Sequence, residues 1–541
     1  MFEETLKKRL DIILVVIFFF VSFLLRGYEV KNIVPYPDES TYLVYSLKIL
    51  SNDWIMPRDC MFYQPPLLFY IQAVIIHLFG GDLGVLRFVS VITGSLTVCF
   101  IYLLGKSLFD RRVGFLSAMF LSFLNFHILY SRIYMLEAAT IFFIVGSLYF
   151  FWKGYCEDAG MRCIYISAIF HGLAIDTKYI GIIVLITIIL FIVWTKRSWR
   201  ALLDERIILF CIVSFLVVLP VLVMLYTNNV NIFYYNIIER HQILHGAPSR
   251  ISSVADMSII ELISRGYWNY VEMLTRGDYY LPWSHLLQIA ALITFPVTIL
   301  YHLPAFLKAK PSETFLLFLF MVGLFFILFL GRFMYYLLYS LMGFTVLMSN
   351  LYISSIDRLK DHSTINIPAI SRIFLVLLVF ILIGSNIVIG TISPMIDKGQ
   401  FGGSTAALLY IDKQLAQDPG SIRGEMTGFV YRAGMGLSTT YIALNDIEHI
   451  DWEQGAIPVV VMRLEEKGGY KFLTLDLDAI KSWKPMFIVT SRINYDTYFE
   501  SEDKKTLLKH YELVFSSKNT NPHEEEYIVF ERRSTFRESS N

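Results

Sequence analysis

Long apolar runs separated by short polar turns fill the chain from its N-terminus to about residue 393. A helix needs about 20 mainly apolar residues to cross the hydrocarbon core of a bilayer. On this criterion the pattern predicts eleven spans, the fifth of them short, at residues 10–27, 84–106, 112–130, 134–152, 162–175, 178–195, 206–226, 283–303, 313–331, 333–352 and 372–393. The chain is therefore predicted to be a polytopic α-helical membrane protein embedded in a lipid bilayer.

One further apolar segment, residues 65–80, differs from these spans. It begins with Pro65-Pro66 and ends with Gly80-Gly81, so the apolar run is bounded by residues that interrupt helices. We interpret it as a helix that lies along the membrane interface or dips into it.

The short loops predict the orientation of the helices, because cytoplasmic loops of membrane proteins carry an excess of Lys and Arg. With eleven spans, all the basic clusters fall on one side, at Lys7-Lys8-Arg9, Lys106 with Arg111-Arg112, Lys153, Lys196-Arg197 with Arg200, Lys308 with Lys310, and Arg358 with Lys360. That side is expected to be cytoplasmic, in a cell membrane. The N-terminus is then cytoplasmic, and the long segments 28–83, 227–282 and 394–541 lie outside.

The character of the chain changes at residue 396, where mixed polar and charged sequence begins. A helix is predicted at 404–416 and strands at 457–463, 486–491, 511–516 and 525–531. We therefore divide the chain into a membrane module, residues 1–395, and an extracytoplasmic α/β domain, residues 396–541.

Composition supports the membrane assignment and excludes some functions. Apolar residues make up 55% of the chain and charged residues 17%, more apolar surface than a water-soluble protein could bury. Lys plus Arg and Asp plus Glu are equal at 46 each, so no excess of basic charge indicates nucleic-acid binding. The five cysteines lack metal-ligand spacing, which argues against a zinc site and against disulfides.

Two carboxylates follow the first span, Asp38 and Glu39. Adjacent carboxylates repel each other, which raises the pKa of at least one unless a cation lies nearby. They are candidates for catalysis, and the alternative is an acidic cap on an interfacial helix that starts near Ser40.

Charged residues at the outer ends of later spans form a second set of candidates. Glu137 lies at the start of span four, close to Arg132, and the alternative to a function is a local ion pair between the two. Lys178, in the turn between spans five and six, could bind a lipid phosphate or extend towards the headgroups. The same two interpretations, phosphate binding or extension towards the headgroups, apply to Arg332, between spans nine and ten. Carboxylates mixed with cations at one membrane face suit a reaction between an anionic lipid headgroup and a neutral acceptor.

These residues resemble the GT-C membrane glycosyltransferases, especially the protein O-mannosyltransferases and the lipid A aminoarabinose transferases. The resemblance rests on Asp38-Glu39, the segment from Asn52 to Arg58, Tyr63-Gln64-Pro65-Pro66-Leu67, Arg87, Ser131-Arg132 with Leu136-Glu137, Gly172-Leu173-Ala174 with Lys178, Asp278 to Pro282, and Arg332 with Tyr335-Tyr336. It covers roughly residues 10–350. Gln64 departs from the Lys or His common in relatives, and Tyr63 from the acidic residue of the aminoarabinose transferases, which puts a zinc ion there in doubt. The Trp-Trp-Asp motif of oligosaccharyltransferases is absent, which argues against transfer of a whole glycan to asparagine.

The resemblance implies a GT-C-like fold and transfer of a hexose or pentose from a polyprenyl-phosphate-linked donor to a hydroxyl acceptor on a protein, lipid or glycan. It implies Asp38 and Glu39 as catalytic residues, with Asp38 the base. Donor phosphate binding falls to Lys178, Arg332, Gln64 and Tyr280, and support of the substrate or the structure to Arg132, Glu137, Arg58 and Tyr335. No cofactor is required by this reading, although a divalent cation near Asp38 and Glu137 is compatible with it. The alternative functions are a transporter or flippase of lipid-linked sugars and a membrane-anchored binding scaffold.

Overall fold

The structure is a computed structural model that describes most of the helical part of the chain and fragments of the rest. The described residues are 2–30, 39, 42–43, 45–46, 49–50, 54, 64–79, 83–228, 259–275, 281–330, 336–360, 367–396, 410, 426–429, 457–460, 462–467, 470–475, 486–492, 495–496, 501–516 and 526–533. Contacts divide the chain into two compact units. Unit 1 comprises Met1–Val30, Arg58–Leu68 and Arg87–Ile396, and unit 2 comprises Lys31–Pro57, Phe69–Leu86 and Asp397–Asn541. The predicted division at residue 396 stays a prediction.

Helices account for nearly all of the described membrane part. In chain order they are α1 (Phe2–Gly27), α2 (Leu67–Phe79), α3 (Leu83–Leu108), α4 (Arg111–Phe123), α5 (Asn125–Arg132), α6 (Leu136–Phe151), α7 (Met161–Thr177), α8 (Ile183–Lys196), α9 (Glu205–Asn228), α10 (Ile259–Thr275), α11 (Ser284–Leu307), α12 (Pro311–Leu330), α13 (Leu337–Lys360) and α14 (Ile367–Ile396). A π turn, Trp152–Cys156, follows α6, and 3-10 turns, Tyr179–Ile182 and Trp199–Leu203, flank α8.

Each of the eleven predicted spans overlaps one of these helices or a bent pair of helices, which confirms the predicted polytopic helical fold. Among the residues that the structure describes, eight helices are long and apolar enough to cross a membrane, and one bent pair makes a ninth. The predicted fifth span is α7, whose 17 residues fall just short of the usual length. Helix α2 has 13 residues and is about 20 Å long, so it is too short for a full span, in agreement with its predicted interfacial position.

The predicted third span is broken rather than straight. Helices α4 and α5 meet at Leu124 with a bend of 60°. The break frees carbonyl groups of α4, and the buried guanidinium of Arg26 on α1 donates hydrogen bonds to the carbonyls of Leu121 and Ser122, both at 3.3 Å. Arg26 also lies 2.7 Å from Nδ1 of His127. A buried charged side chain thus satisfies backbone groups that the break leaves without helical partners.

Glycines allow two close helix crossings in unit 1. A Cβ at Gly114 on α4 would lie 2.5 Å from the carbonyl oxygen of Tyr102 on α3. A Cβ at Gly390 on α14 would lie 2.0 Å from the carbonyl oxygen of Phe123. Small residues at such contacts let backbones approach closely, which is how helices associate in lipid.

The C-terminal part of unit 2 contains two sheets. Strands β1 (Met426–Phe429), β2 (Ile457–Val460), β5 (Phe487–Ser491), β6 (Tyr511–Ser516) and β7 (Tyr527–Arg532) form a sheet in the order β2-β1-β5-β7-β6. Strands β1, β2 and β5 are parallel, and β7 is antiparallel to β5 and β6. Strands β3 (Met462–Lys467) and β4 (Tyr470–Leu475) form an antiparallel pair. Helix α15 (Ser501–His510) precedes β6.

The predicted strands agree with this sheet. The predictions at 486–491, 511–516 and 525–531 match β5, β6 and β7, and the prediction at 457–463 covers β2 and the start of β3. Strands β1 and β4 and helix α15 were not predicted, and the predicted helix 404–416 lies outside the described residues except for residue 410. The central strands are buried because their residues are apolar on both faces, as in Phe487-Ile488-Val489 and Ile528-Val529-Phe530.

Candidate active site

The break between α5 and α6 places Glu137 at a helix N-terminus inside the protein. Ile133 and Met135 have extended backbones, and the amide of Met135 donates to the carbonyl of Ile133 at 2.8 Å. Helix α6 then begins at Leu136, so Glu137 lies in its first turn, where the positive end of the helix dipole favours a carboxylate. The predicted position of Glu137 at the start of this span is confirmed.

A second break, between α7 and the 3-10 turn, positions Lys178. Its backbone is extended (φ −157°, ψ 133°), its amide donates to the carbonyl of Ala174 at 3.0 Å, and its carbonyl accepts from the amide of Gly181 at 2.8 Å. A Cβ at Gly181 would lie 2.5 Å from the backbone carbon of Ala174. Glycine at this position therefore lets the chain fold back against α7 and keeps the turn tight around Lys178.

These two breaks bring Glu137 and Lys178 together as a buried ion pair. The Nζ of Lys178 donates to Oε1 of Glu137, and the two side chains are 6% and 0% exposed. Lys178 is thus buried and paired, and the alternative reading in which it extends towards the headgroups is wrong. The pair that the structure shows for Glu137 is with Lys178, 41 positions away, rather than the local pair with Arg132.

An aromatic ring completes this cluster. The Nζ of Lys178 lies 4.7 Å from the ring centroid of Tyr336, which precedes α13. Such a cation–π contact holds the ammonium more strongly where water is excluded. The sequence placed Tyr336 in a motif but gave it no role, because Tyr336 and Lys178 are far apart along the chain and no sequence pattern connects them. We call Glu137, Lys178 and Tyr336 the Lys178 cluster.

Two buried carboxylate oxygens, one in the cluster and one two residues before Lys178, have no hydrogen-bond partner within the described residues. One is Oε2 of Glu137, and the other is Oδ1 of Asp176, in the last turn of α7. Leaving a buried acceptor unsatisfied costs about 1–3 kcal/mol, more for a charged group. Such oxygens are suited to accept hydrogen bonds from the hydroxyl groups of a bound molecule. Asp176 was not assigned a role from the sequence.

Buried arginines fix the segments around this cluster. Arg132, at the end of α5, donates to the carbonyl of Tyr28 at 2.7 Å, and Arg87 on α3 donates to the carbonyl of Val30 at 2.9 Å. Both contacts join later helices to the end of α1. The contact of Arg132 is compatible with its predicted supporting role.

Two predicted site residues, Gln64 and Glu39, lie in the described part of the first outer loop. Gln64 is half-buried and precedes the buried Pro65 and Pro66. The hydroxyl of Tyr134 donates to the carbonyl of Leu68 at 2.7 Å, which ties the start of α2 to the break before α6 within unit 1. Glu39, in unit 2, is fully buried.

The other predicted site residues lie outside the described residues, namely Asp38, Arg58, Tyr280, Arg332 and Tyr335. Their predicted roles stay predictions. Within the part of the chain that can be described, no group of three or more His, Cys, Asp and Glu side chains is placed to hold a metal ion.

Comparison with known proteins places this site in a family context. Residues 63–224 match the family model described as dolichyl-phosphate-mannose-protein mannosyltransferase. Gln64, Arg132, Glu137 and Lys178 all lie within the matched segment. No curated protein sequence matches the chain.

The chain is also similar to solved structures along nearly its whole length. ArnT from Cupriavidus metallidurans in the apo state matches with 14% identity, coverage of 99% of both chains and a TM-score of 0.59. The same protein bound to undecaprenyl phosphate matches with 15% identity, coverage of 98% of this chain and 99% of that one, and a TM-score of 0.58. A third match is the archaeal oligosaccharyltransferase AglB from Archaeoglobus fulgidus, in complex with an inhibitory peptide and a dolichol-phosphate. It has 16% identity and a TM-score of 0.56, and the match covers 95% of this chain and 74% of that one.

The chain therefore has the fold of ArnT and AglB, which are GT-C glycosyltransferases. Within that class, its sequence resembles the dolichyl-phosphate-mannose-protein mannosyltransferase family in residues 63–224, and its fold resembles ArnT. The resemblance predicted from the sequence is confirmed in residues 63–224 and in the fold, and the apolar helices support a multi-pass membrane protein.

Proposed function

We propose that the protein transfers a sugar from a polyprenyl-phosphate donor to a hydroxyl acceptor at the outer face of the membrane. The observation that carries this proposal is the buried Lys178 cluster. Its Glu137 and Lys178 lie in the segment matched by the mannosyltransferase model, and Oε2 of Glu137 has no hydrogen-bond partner among the described residues. A buried cation beside an unsatisfied acceptor suits a ligand that carries both a phosphate and sugar hydroxyls.

The donor phosphate is assigned to Lys178 and Arg332, with Gln64 and Tyr280 as hydrogen-bond donors. A prenyl phosphate is a good leaving group, and its departure requires stabilisation of the charge that develops on its oxygen. Cations in a site of low dielectric supply that stabilisation. The phosphate would compete with Glu137 for the ammonium of Lys178, so binding of the donor is coupled to the ion pair.

Asp38 is assigned the role of base. The acceptor oxygen attacks the anomeric carbon and its proton passes to the carboxylate of Asp38. The bond between that carbon and the phosphate oxygen breaks, and its electron pair leaves with the prenyl phosphate. A single displacement of this kind inverts the anomeric centre. Glu39 assists in catalysis by orienting Arg132 or by forming part of the acceptor site.

The donor class is supported by the ligands of the similar structures. ArnT was solved with undecaprenyl phosphate and AglB with dolichol-phosphate. The predicted acceptor, a hydroxyl of a protein, lipid or glycan, follows from the resemblance to mannosyltransferases. The cytoplasmic N-terminus and extracytoplasmic C-terminal domain belong to the same proposal and follow from the charge of the loops.

A donor-turnover assay tests the proposal. The purified full-length protein is incubated with a short-chain polyprenyl-phosphate hexose and a membrane extract as source of acceptors, and released prenyl phosphate is measured. We expect release by the wild type and none by Asp38→Asn, while Asp82→Asn, a carboxylate of the same outer loop without an assigned role, retains activity. Release that survives Asp38→Asn would remove Asp38 as base. No release from folded protein with several donor sugars would favour the transporter or scaffold alternatives.

A divalent cation near Asp38 and Glu137 is a secondary proposal. Oε2 of Glu137, unpartnered within the described residues, would provide one ligand. Carboxylate oxygens are the ligands that Mg²⁺ and Mn²⁺ prefer. Loss of turnover with EDTA and its recovery with either metal would support this role, and turnover unaffected by EDTA would contradict it.

A further inference from the structure

A polar pocket opens at the end of the helix bundle that carries the predicted cytoplasmic loops. Its volume is about 300 Å³, and it is lined by Leu103, Lys106, Ser107, Tyr149, Lys153 and Glu157. The first three residues lie in the last turns of α3. Tyr149 lies near the end of α6, Lys153 lies in the π turn that follows it, and Glu157 comes directly after that turn. All of them belong to unit 1.

This pocket is separate from the Lys178 cluster. Glu137 lies in the first turn of α6, whereas Lys153 lies in the π turn after its last residue. The 16 positions between residues 137 and 153 correspond to about 24 Å at 1.5 Å per residue. The two sites therefore lie near opposite faces of the membrane, and the pocket is not used by the proposed transfer reaction.

The π turn shapes one wall of the pocket. The amide of Glu157 donates to the carbonyl of Trp152 at 3.1 Å, five residues earlier, which is the hydrogen bond of a π turn. A Cβ at Gly154 would lie 2.7 Å from a side-chain carbon of Ile164, so glycine lets this turn pack against α7. The extra residue in the turn sets the direction of Lys153 and Glu157, and π turns of this kind are frequent at functional sites.

Hydrogen bonds already hold the polar side chains of the lining in place. Glu157 accepts from both Ser107 and Lys153, and Lys106 donates to Asp11 on α1. Asp11 also accepts from Nε of Arg111 at 2.8 Å. These contacts pre-organise the two lysines, so little side-chain freedom remains to be lost on binding a ligand.

The charges of the pocket favour an anion. Its lining contains two cations, Lys106 and Lys153, and one anion, Glu157. Behind the lining, Arg111 balances Asp11, so the cluster carries a net charge of one positive unit. The side chains of Lys106 and Lys153 are 37% and 31% exposed, which leaves them accessible to a ligand. A ligand with a single negative charge would neutralise the cluster.

The position of the pocket indicates which kind of anion it binds. It lies at the ends of the apolar spans Gly84–Leu108 and Leu136–Cys156. Lipid headgroups surround the ends of helices that cross the bilayer. Basic pockets between helices at the cytoplasmic face bind anionic lipid headgroups. We propose that this pocket binds the phosphodiester headgroup of an anionic glycerophospholipid such as phosphatidylglycerol. Its phosphate contacts Lys106 and Lys153, and Tyr149 and Glu157 are available to the hydroxyl groups of the glycerol. A zwitterionic lipid is disfavoured because its own ammonium group already neutralises the phosphate.

Lipid retention by the purified full-length protein tests this proposal. The protein is exchanged into mixed micelles that contain phosphatidylglycerol or phosphatidylcholine, and bound lipid is counted by native mass spectrometry. We expect selective retention of phosphatidylglycerol and at least about a tenfold weaker affinity for it in Lys153→Gln, because the charge-assisted hydrogen bond from Lys153 to the phosphate is lost. Lys153→Arg should retain the lipid.

Controls separate the pocket from general surface charge. Lys308→Gln removes an exposed lysine on the same predicted face, outside the pocket, and should leave retention unchanged. Lys106→Gln is a second pocket variant should Lys153→Gln not fold. Equal retention of both lipids by the wild type, or equal losses in Lys153→Gln and Lys308→Gln, would overturn the proposal. Saturation of the pocket by inorganic phosphate without retained lipid would also overturn it, in favour of a soluble phosphate.

Discussion

Replacement of Lys178 by methionine tests how the buried ion pair contributes to the protein. Methionine keeps an unbranched chain of similar length and can still contact the ring of Tyr336. It leaves the carboxylate of Glu137, whose side chain is 0% exposed, without its cation. Removing one partner of a buried pair typically costs about 3–5 kcal/mol, because a charge then stays buried without compensation. We expect Lys178→Met and Glu137→Leu each to lower the free energy of unfolding by that amount.

The double variant Glu137→Leu/Lys178→Met gives the decisive comparison. It removes both charges, and replacing a buried pair by apolar residues is often neutral or stabilising. We expect its stability to lie within about 1 kcal/mol of the wild type, so that the coupling energy of the cycle reaches at least about 5 kcal/mol. The double variant should nevertheless release no prenyl phosphate, because Lys178 is assigned to the donor. A folded double variant with normal turnover would remove Lys178 from the phosphate site.

Equilibrium unfolding in mixed micelles with an increasing fraction of sodium dodecyl sulfate measures these stabilities. Arg112→Met is the matched control, because it breaks an ion pair with Asp357 whose side chains are 55% and 40% exposed. Exposed pairs contribute about 0–1 kcal/mol, so the control should unfold almost as the wild type does. If both single variants at the cluster cost less than about 1 kcal/mol and their effects add, the pair is not a buried charge pair and the reasoning fails.

Two further predictions concern packing and pH. Gly390→Ala should destabilise the helix bundle, since its Cβ would lie 2.0 Å from a backbone oxygen. A Cβ at Gly384, on the same helix, meets no atom of the described residues within 4 Å, so Gly384→Ala should be neutral or stabilising by up to about 1 kcal/mol. Thermal unfolding that ranks the two variants equally would refute this. Burial and the facing carboxylate of Glu512 raise the pKa of Glu531 above its usual 4.5, so the sheet should gain stability as the pH falls from neutral through that raised pKa. Glu512→Gln should slow amide exchange of β7 at pH 7 and reduce its pH dependence, and exchange that matches the wild type at every pH would exclude the repulsion.

The sequence by itself determined the membrane architecture. Spanning a bilayer requires about 20 apolar residues in one stretch, and such a stretch can be recognised from consecutive residues alone. For the same reason the strands β5, β6 and β7 could be predicted, because short runs of apolar and β-branched residues identify a buried strand. Local sequence also placed Glu137 and Lys178 at the ends of predicted spans, as charges that are costly to bury.

Only the tertiary structure decided which groups meet. Lys178 pairs with Glu137 and lies against Tyr336, although 41 and 158 positions separate them along the chain, and the sequence had also allowed a local partner for Glu137. It likewise decided that Arg26 is buried at the break in the third span and that β1 lies between β2 and β5. Such pairings depend on how helices and strands that are distant in the sequence pack together. The hydropathy of a segment does not predict which distant segment it packs against. A buried charge must find a partner, but which partner it finds is a property of the fold.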